Sequence, residues 1–308
     1  MPLFSKLSLA KPAAGSVVAT GGTITTATVS GTQYRFHTFT TTGANNFVVS
    51  DAGAGSVDIL LVGGGGRGGA SYNAAGGGGG GGGGAVLWVT GIPITAQTYS
   101  ITVGSGNSGV AVNTTLPGAT GGGASIGFGY TAYGGGTGGD QSSNSSYVAG
   151  GAGMGSTTSV SKQGNGGGAG GYVGNSPPSP KTGGSGTYAG GNSVMDSANS
   201  VLWSGGGGGD SGAGGNGVQN AAGSTGLGTL DPSGLTSNYY AGGGAGARSD
   251  NNTPNGTVNN GGTAAGSNGG TGLANSGRGG GGSIYNAIGA HNGTNGASGR
   301  VVIRYPWP

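Results

Sequence analysis

Glycine constrains this sequence more than any other feature. It supplies 86 of the 308 residues and forms an unbroken run of nine from Gly76 to Gly84. Each glycine inside an α-helix costs about 0.5–1 kcal/mol relative to alanine, so this chain cannot build a helical domain. Only 6% of the residues are charged, and none is glutamate. The composition predicts an all-β protein with under about 5% helix. It also predicts a function that depends on shape and surface, not an enzyme.

A chain this rich in glycine is usually of low complexity or disordered. Disordered chains, however, carry much charge and few aromatic residues. This chain carries little charge and keeps 12 Tyr, 5 Phe and 3 Trp. We therefore expect an ordered protein whose backbone polar groups are satisfied by regular packing.

Charge, cysteine and hydropathy exclude several classes of function. The net charge is +3, and the basic residues are too dispersed for a nucleic-acid surface. Without cysteine the chain has no disulfides or thiolate metal sites. No apolar run reaches 18 residues, so we expect no membrane insertion. The N-terminus from Met1 to Pro12 has no continuous apolar stretch and is not a convincing secretory signal. Assembly into a particle in the cytoplasm fits these features better than secretion.

The strand signals lie near the two chain ends. The predicted strands are short, rich in β-branched or aromatic residues, and bounded by Gly, Asn or Pro. They are Gln33–Thr40, Asn46–Ser50, Ser56–Val62, Ala85–Thr90, Thr98–Val103 and Arg300–Tyr305. The last resembles the first in character, so both chain ends should pair in one short-strand, β-sandwich-like module made of residues 33–130 and 299–308. Residues 1–32 are then an N-terminal attachment segment, with Leu3, Phe4, Leu7 and Leu9 as its apolar anchors.

Residues 131–298 form a large glycine-rich insertion. A polyproline-II-type helix has no internal hydrogen bonds, so its N–H and C=O groups point outward. Glycine segments in this conformation can pack closely and bond laterally. We therefore predict packed polyglycine-II-type helices, with ordinary antiparallel sheet as the alternative. Because glycine has no Cβ, replacing Gly207 by valine should disrupt this packing.

The motifs that suggest chemistry are weak. Glycine patterns such as LLVGGGGRGG lead into a strand instead of the helix that a dinucleotide site requires, so we expect no cofactor. His37 is predicted to face solvent, and His291 lies in a polar loop. The seven aspartates are isolated, and we expect no metal site. Calcium held by loop carbonyls with Asp210 or Asp250 is an alternative.

Aromatic residues punctuate the insertion. The simplest interpretation is that they flank the glycine packing. The functional interpretation is that some contact a receptor, because Tyr and Trp among Ser, Gly and Asn are typical of binding surfaces. The candidate contacts are Tyr172, Tyr188, Trp203, Tyr239, Tyr240 and Tyr285.

The order of several segments resembles the glycine-rich proteins of tailed bacteriophages. These segments are FHTFTTTGANNFVVS, VDILLVGGGGRGG, AVLWVTG, YSITVGSG and a terminal SGRVVIRYP. The resemblance implies a strand framework at the chain ends that holds glycine-rich segments. In some tail-tip adhesins of this group, those segments are polyglycine-II helices with host-binding loops. Since this chain has no long fibre shaft, tail fibre, tip adhesin and capsid-surface appendage all stay open.

We therefore expect a non-enzymatic virion surface protein, a tail fibre or receptor-binding appendage. Its expected partners are other virion proteins at the N-terminus and a host-surface glycan or outer-membrane protein at the far end of the insertion. A homo-oligomer is expected, with a trimer favoured. The alternatives are a capsid decoration and a cell-surface or matrix filament protein.

Overall fold

The computed structural model describes residues 16–53, 55–71, 76–109, 121–140, 149–172, 181–196, 201–218, 221–248, 262–263, 271–283 and 292–308. These residues form β-strands and no α-helix, which confirms the all-β prediction. The strands are Val18–Thr20 (β1), Thr23–Val29 (β2), Thr32–Phe39 (β3), Gly43–Asp51 (β4), Ser56–Val62 (β5), Gly76–Gly77 (β6), Val86–Pro93 (β7), Thr98–Val103 (β8), Ser125–Gly127 (β9), Tyr130–Ala132 (β10), Ser161–Lys162 (β11), Gly171–Tyr172 (β12), Val194–Asp196 (β13), Val201–Trp203 (β14), Thr229–Leu230 (β15), Tyr239–Tyr240 (β16) and Arg300–Pro306 (β17).

Two sheets form a sandwich. The first has the strand order β1-β4-β8-β9-β10-β11, and the second has the order β2-β3-β17-β5-β7. The last strand, β17, lies between β3 and β5, where Ile303 is paired with His37 on one side and with Ile59 on the other. The C-terminal strand therefore pairs with strands from the N-terminal part of the chain, as the sequence predicts.

The core of the sandwich lies between the two sheets. Phe47 and Ile101 enter it from the first sheet, and Ile59 and Ile303 enter it from the second. All four side chains are buried, and burying each one contributes about 1.5–3 kcal/mol relative to an exposed position. The alternation of apolar residues along these strands therefore fixes which side of each sheet faces the partner sheet.

The second sheet is also covered on its other face. Phe36, Leu60 and Val302 point away from the sandwich core and pack against Tyr240 and Ala241. Tyr240 and Ala241 belong to the glycine-rich region. Tyr240 is the last residue of β16, which pairs with β15. The glycine-rich region therefore packs along one side of the sandwich as well as extending from its end.

Two strands fall inside residues 1–32, which we predicted to be an attachment segment outside the strand module. β1 pairs with β4, and β2 pairs along its length with β3. The segment TITTATV of β2 was missed because threonine and alanine give almost no hydrophobic alternation. The strand framework therefore begins at Val18, not near residue 33.

The glycine segments bond laterally with a period of three. Along 78–85, each N–H donates to a backbone carbonyl of another segment at 2.8 to 3.1 Å. Every third donor reaches the same neighbour, and the three neighbours are 277–283, 133–139 and 205–208. Because a polyproline-II helix has about three residues per turn, its peptide groups point to three neighbours in rotation. This pattern is that of packed polyglycine-II-type helices.

The run Gly76–Gly84 lies at the centre of this packing. Its carbonyls accept N–H groups from three further segments, 63–69, 165–168 and 244–247, so six segments surround it. A Cβ built at any position from 78 to 84 would lie under 3.0 Å from a backbone atom of a neighbour. The longest glycine run therefore lies where the backbones of neighbouring segments fill the space around every residue, which leaves no room for a side chain.

The glycine segments leave the sandwich at one end. The N–H of Gly63 donates to the carbonyl of Ala85, next to the sandwich strands. The N–H of Gly69, six residues after Gly63, donates to the carbonyl of Gly79. Six residues of a polyproline-II helix span about 19 Å. We call the far ends of these segments the distal face. Its described residues include Ser71, Gly77, Asp140, Trp203 and Arg248.

Both described chain ends lie at the opposite end of the sandwich, which we call the proximal pole. Val18 pairs with Asp51, the last residue of β4. Pro306 pairs with Tyr34, near the start of β3. Because these strands run toward or away from the glycine segments, the sandwich separates the chain ends from the distal face.

Candidate binding surface

A buried ion pair joins two glycine segments at the distal face. Arg67 is 1% exposed, and its Nη1 and Nη2 atoms donate to Oδ1 and Oδ2 of Asp140 at 2.6 and 2.5 Å. Oδ1 also accepts the N–H of Ala70 at 2.9 Å. Two parallel bonds between a guanidinium and a carboxylate are among the strongest polar contacts in proteins. This pair holds the end of segment 63–69 against the end of segment 133–139.

Trp203 fills the space between other segment ends. Its side chain is 1% exposed, and the guanidinium carbon of Arg248 lies 5.8 Å from its ring centroid. The adjacent Ser204 donates its hydroxyl to the carbonyl of Gly77 at 2.9 Å. Trp203 was predicted to contact a receptor. That prediction is corrected, because the neighbouring segments cover the indole.

Three of the predicted tyrosines lie away from the distal face. Tyr240 is 2% exposed, packs on the second sheet and accepts a hydrogen bond from Arg300 at 2.8 Å, so it is also excluded as a receptor contact. Tyr239 is half-buried beside it. Tyr188 is 36% exposed, and its carbonyl accepts the N–H of Gly166 part-way along the glycine segments. The structure does not bring these side chains together.

Other predicted residues lie outside the part of the chain that the structure describes. They are Leu3, Phe4, Leu7, Leu9 and Tyr285. Two turn-rich sequences that we also expect to form binding loops are 175–181, of which only Lys181 is described, and 250–260, which lies outside the described residues. The backbone of Tyr172 is described and pairs with Gly76 at the distal face. The described residues that flank these loops, such as Tyr172 and Arg248, end at the distal face.

An aromatic cleft at the proximal pole was not predicted. It has a volume of about 660 Å³ and lies between the β7–β8 connection and the β9–β10 turn. The rings of Tyr99 and Phe128 stand 4.6 Å apart there, and Thr95 and Gln97 add neutral polar groups. Phe128 has φ of 52°, a left-handed conformation that is rare for so large a residue. The only sequence signal is an aromatic residue inside the glycine turn GFGY.

His37 is buried, not exposed as predicted. Its ring lies inside the sandwich, with Nδ1 2.8 Å from the carbonyl oxygen of Gly21 and Nε2 3.0 Å from the hydroxyl of Tyr305. Burial lowers the pKa of His37 below its usual value, the Gly21 carbonyl opposes this shift, and Arg35 adds to it. The prediction failed because Tyr34 and Phe36 face the outer side of the sheet, which leaves His37 facing inward.

Asp210 anchors the glycine segments to the sandwich. Its Oδ1 accepts the N–H of Val86 at 2.9 Å, and Oδ2 accepts bonds from Lys162 and Thr229, both at 2.8 Å. Burial raises the pKa of Asp210, and the ammonium of Lys162 opposes that shift. We considered Asp210 as a calcium ligand in the sequence analysis, but these three donors occupy its carboxylate. The other aspartate of that alternative, Asp250, lies outside the described residues.

A family model described as a glycine-rich domain matches residues 40–306. The chain belongs to this family. No curated protein matches the chain. In this glycine-rich domain the match extends from the end of β3 into β17, so it includes strands of both sheets and the packed glycine segments.

The described part of the glycine-rich domain contains no group of three or more His, Cys, Asp or Glu residues able to hold a metal ion. It also contains no helix long and apolar enough to cross a membrane. What the geometry provides is a backbone-bonded scaffold, with segment ends at the distal face and an aromatic cleft at the proximal pole.

Proposed function

We propose that this glycine-rich domain protein is a non-enzymatic appendage on the surface of a bacteriophage particle, a tail fibre or receptor-binding protein that attaches the particle to its host. The observation that carries the proposal is the separation of the two ends of the molecule. Val18 and Pro306, which are close to the two described chain ends, lie at the proximal pole, and the glycine segments end at the distal face. Attachment and recognition thus have separate surfaces.

The glycine segments are suited to support recognition loops. Each is fixed by rows of lateral hydrogen bonds, and the distal ends are fixed further by the Arg67–Asp140 pair. Binding residues concentrate on loops that a rigid scaffold positions. The sequences that follow the distal ends, such as 141–148, 173–180 and 249–261, are rich in Ser, Asn and Pro. This composition is typical of adaptable binding surfaces.

The expected partners follow from position and chemistry. The segment with Leu3, Phe4, Leu7 and Leu9 precedes β1 in the sequence, and we propose that its apolar groups contact another virion protein. At the distal side, we propose a host-surface glycan or an outer-membrane protein, because the glycine-rich region has few large aliphatic residues from which an apolar pocket for a small molecule could be built. In this proposal the protein is assembled in the host cytoplasm and works on the extracellular particle.

Adsorption of the purified, fluorescently labelled full-length protein to host cells tests this function. We expect binding to fall at least tenfold when residues 175–180 and 250–260 are replaced by glycine–serine sequences of equal length. Lys181 is kept, because its N–H bonds Ser193 at 3.2 Å. The matched control is Thr95→Ala with Gln97→Ala at the proximal cleft, which should bind as the native protein does.

The outcomes separate the alternatives. If the loop replacements leave adsorption unchanged while the protein is found in purified particles, it is a capsid or tail decoration without a receptor role. If only the cleft variants lose binding, the recognition site lies at the proximal pole. If the protein is recovered from cells that carry no phage, a cell-surface or matrix filament protein replaces the virion proposal.

A further inference from the structure

β2 is an open edge of the second sheet. Among the described residues it pairs only with β3, so its other side carries backbone groups with no strand beside them. Its sequence, TITTATV, has no charge, no proline and no glycine. Most of it is exposed, and the side chain of Ile24 is 43% exposed. An edge strand of this kind is a template for pairing with another strand.

The other described edges of the two sandwich sheets are blunted. β1 has three residues and an irregular register between Val18 and Ala19. β11 has two residues. β7 shows a register shift opposite Val57 and Ile59 and contains Gly91, with φ of 70°, and Pro93. Short length, bulges and proline are the means by which proteins prevent edge pairing. β2 has none of them, although it is seven residues long.

We propose that β2 pairs antiparallel with β2 of a second copy of this chain, about a twofold axis through Thr26. The register places Thr23 opposite Val29, Ile24 opposite Thr28 and Thr25 opposite Ala27. In this register, odd-numbered residues lie opposite odd-numbered residues and even-numbered residues lie opposite even-numbered ones. Opposed side chains therefore point to the same face, as the alternation of side chains in a continuous sheet requires.

The occupant is a second copy because β2 is compatible with itself. Two uncharged strands bring no like charges together, and β-branched side chains on both strands make favourable cross-strand pairs. The pairing covers Ile24 and joins the two second sheets into one. An isologous twofold contact closes at two copies, so it gives a dimer instead of the trimer favoured from the sequence. This inference does not depend on the virion role, although a dimer would present two distal faces and strengthen attachment by multivalency.

Sedimentation equilibrium of the full-length chain tests the dimer. We expect two 28.4-kDa chains to associate at micromolar concentration. Thr26→Lys places two lysines directly opposite on the axis and should raise the dimer dissociation constant by about tenfold or more. Thr90→Lys is the matched control, because Thr90 is an exposed threonine on β7, the opposite edge of the same sheet. It should leave the dissociation constant unchanged.

Cross-linking tests the register. The chain has no cysteine, so Thr26→Cys introduces a single thiol. Directly opposite residues of an antiparallel pair lie within the distance that a disulfide spans. Mild oxidation should convert most of this variant to a dimer that denaturing gel electrophoresis detects without reductant, whereas Thr90→Cys should give no covalent dimer under the same conditions. A native protein that sediments as a monomer or a trimer overturns the proposal, as does equal cross-linking of the two cysteine variants.

Discussion

Gly207 packs directly against the backbone of Gly81, so that a Cβ built at residue 207 would overlap the carbonyl of Gly81. Gly81 belongs to the central run of nine glycines, and the N–H of Gly207 donates to Gly244 at 2.8 Å. The packing of these segments thus consists of backbone touching backbone. It has no flexible side chain that can move aside to admit a larger residue.

Gly207→Ala should therefore destabilise the protein strongly, and Gly207→Val more so. The added carbon displaces a segment whose own hydrogen bonds are fixed, and overpacking of this kind lowers the free energy of unfolding by about 1–3 kcal/mol, and occasionally by more. Chemical denaturation of the native protein and the variant measures the difference.

Gly212→Ala is the matched control for that substitution. The nearest atoms to a Cβ at residue 212 belong to Leu227, at 3.4 Å, which is an ordinary contact distance. Since alanine also restricts the unfolded chain, this variant should be as stable as the native protein or slightly more stable. Equal loss of stability in both variants would show that glycine is needed for a reason other than close packing.

Asp140→Asn should lower the free energy of unfolding by about 3 kcal/mol, because it leaves the buried charge of Arg67 without a counter-charge. Thermal unfolding and denaturant titration measure this effect. Asp51→Asn is the control, since Asp51 is exposed and its Oδ1 accepts the N–H of Gly53 at 2.9 Å. A native-like stability of the Asp140 variant would contradict a stabilising role for the ion pair.

The stability of the protein should decrease as the pH falls below about 6.5, the usual pKa of histidine. Burial lowers the pKa of His37 in the folded state, so the unfolded state binds more protons between the two pKa values. This contribution is complete above the unfolded pKa and is lost as the pH falls through the folded pKa. Its steepest slope is about 1.4 kcal/mol per pH unit for a single proton.

The His37→Gln variant isolates this contribution. Unfolding free energies measured from pH 8 to pH 5 should fall less steeply for the variant than for the native protein. If the two profiles are parallel, His37 does not titrate differently in the folded and unfolded states.

Removal of residues 1–15 should leave a folded protein, whereas removal of residues 1–20 should not leave a stable one. The longer deletion removes β1 together with Val17 and Ala19, which are buried in the core of the sandwich. Losing the Val17 side chain alone forfeits about 1.5–3 kcal/mol of burial. Circular dichroism and thermal unfolding of the two deletions distinguish them, and equal melting temperatures would contradict this assignment.

The strands with aromatic and aliphatic alternation were predictable from the sequence. Thr32–Phe39, Ser56–Val62, Thr98–Val103 and Arg300–Pro306 were all found within a few residues of the predicted bounds. β1 and β2 were not found, because small and hydroxyl-bearing residues do not show which face is buried. Their strand conformation depends on pairing with β4 and β3, which lie elsewhere in the chain.

The proposed contact residues were the least predictable part. The sequence around Trp203 and Tyr240 has a composition typical of a binding surface. Both side chains are nevertheless buried by segments that are distant in sequence. The cleft beside Tyr99 and Phe128 combines two separate turns, so its residues share no local pattern. Exposure and clustering depend on which segments become neighbours, and a single sequence does not specify that.

Composition was enough to establish that this protein is all-β. With so much glycine and so little charge, helix formation is too costly, and backbone groups have to bond between segments. The three-dimensional structure was needed to show that Gly76–Gly84 is the central segment with six neighbours, and that His37, Trp203 and Tyr240 are buried. Local sequence does not reveal these neighbours, because glycine carries no side chain to direct its partners. The neighbours of each segment are set by the sandwich strands that anchor it and by close packing of the whole molecule.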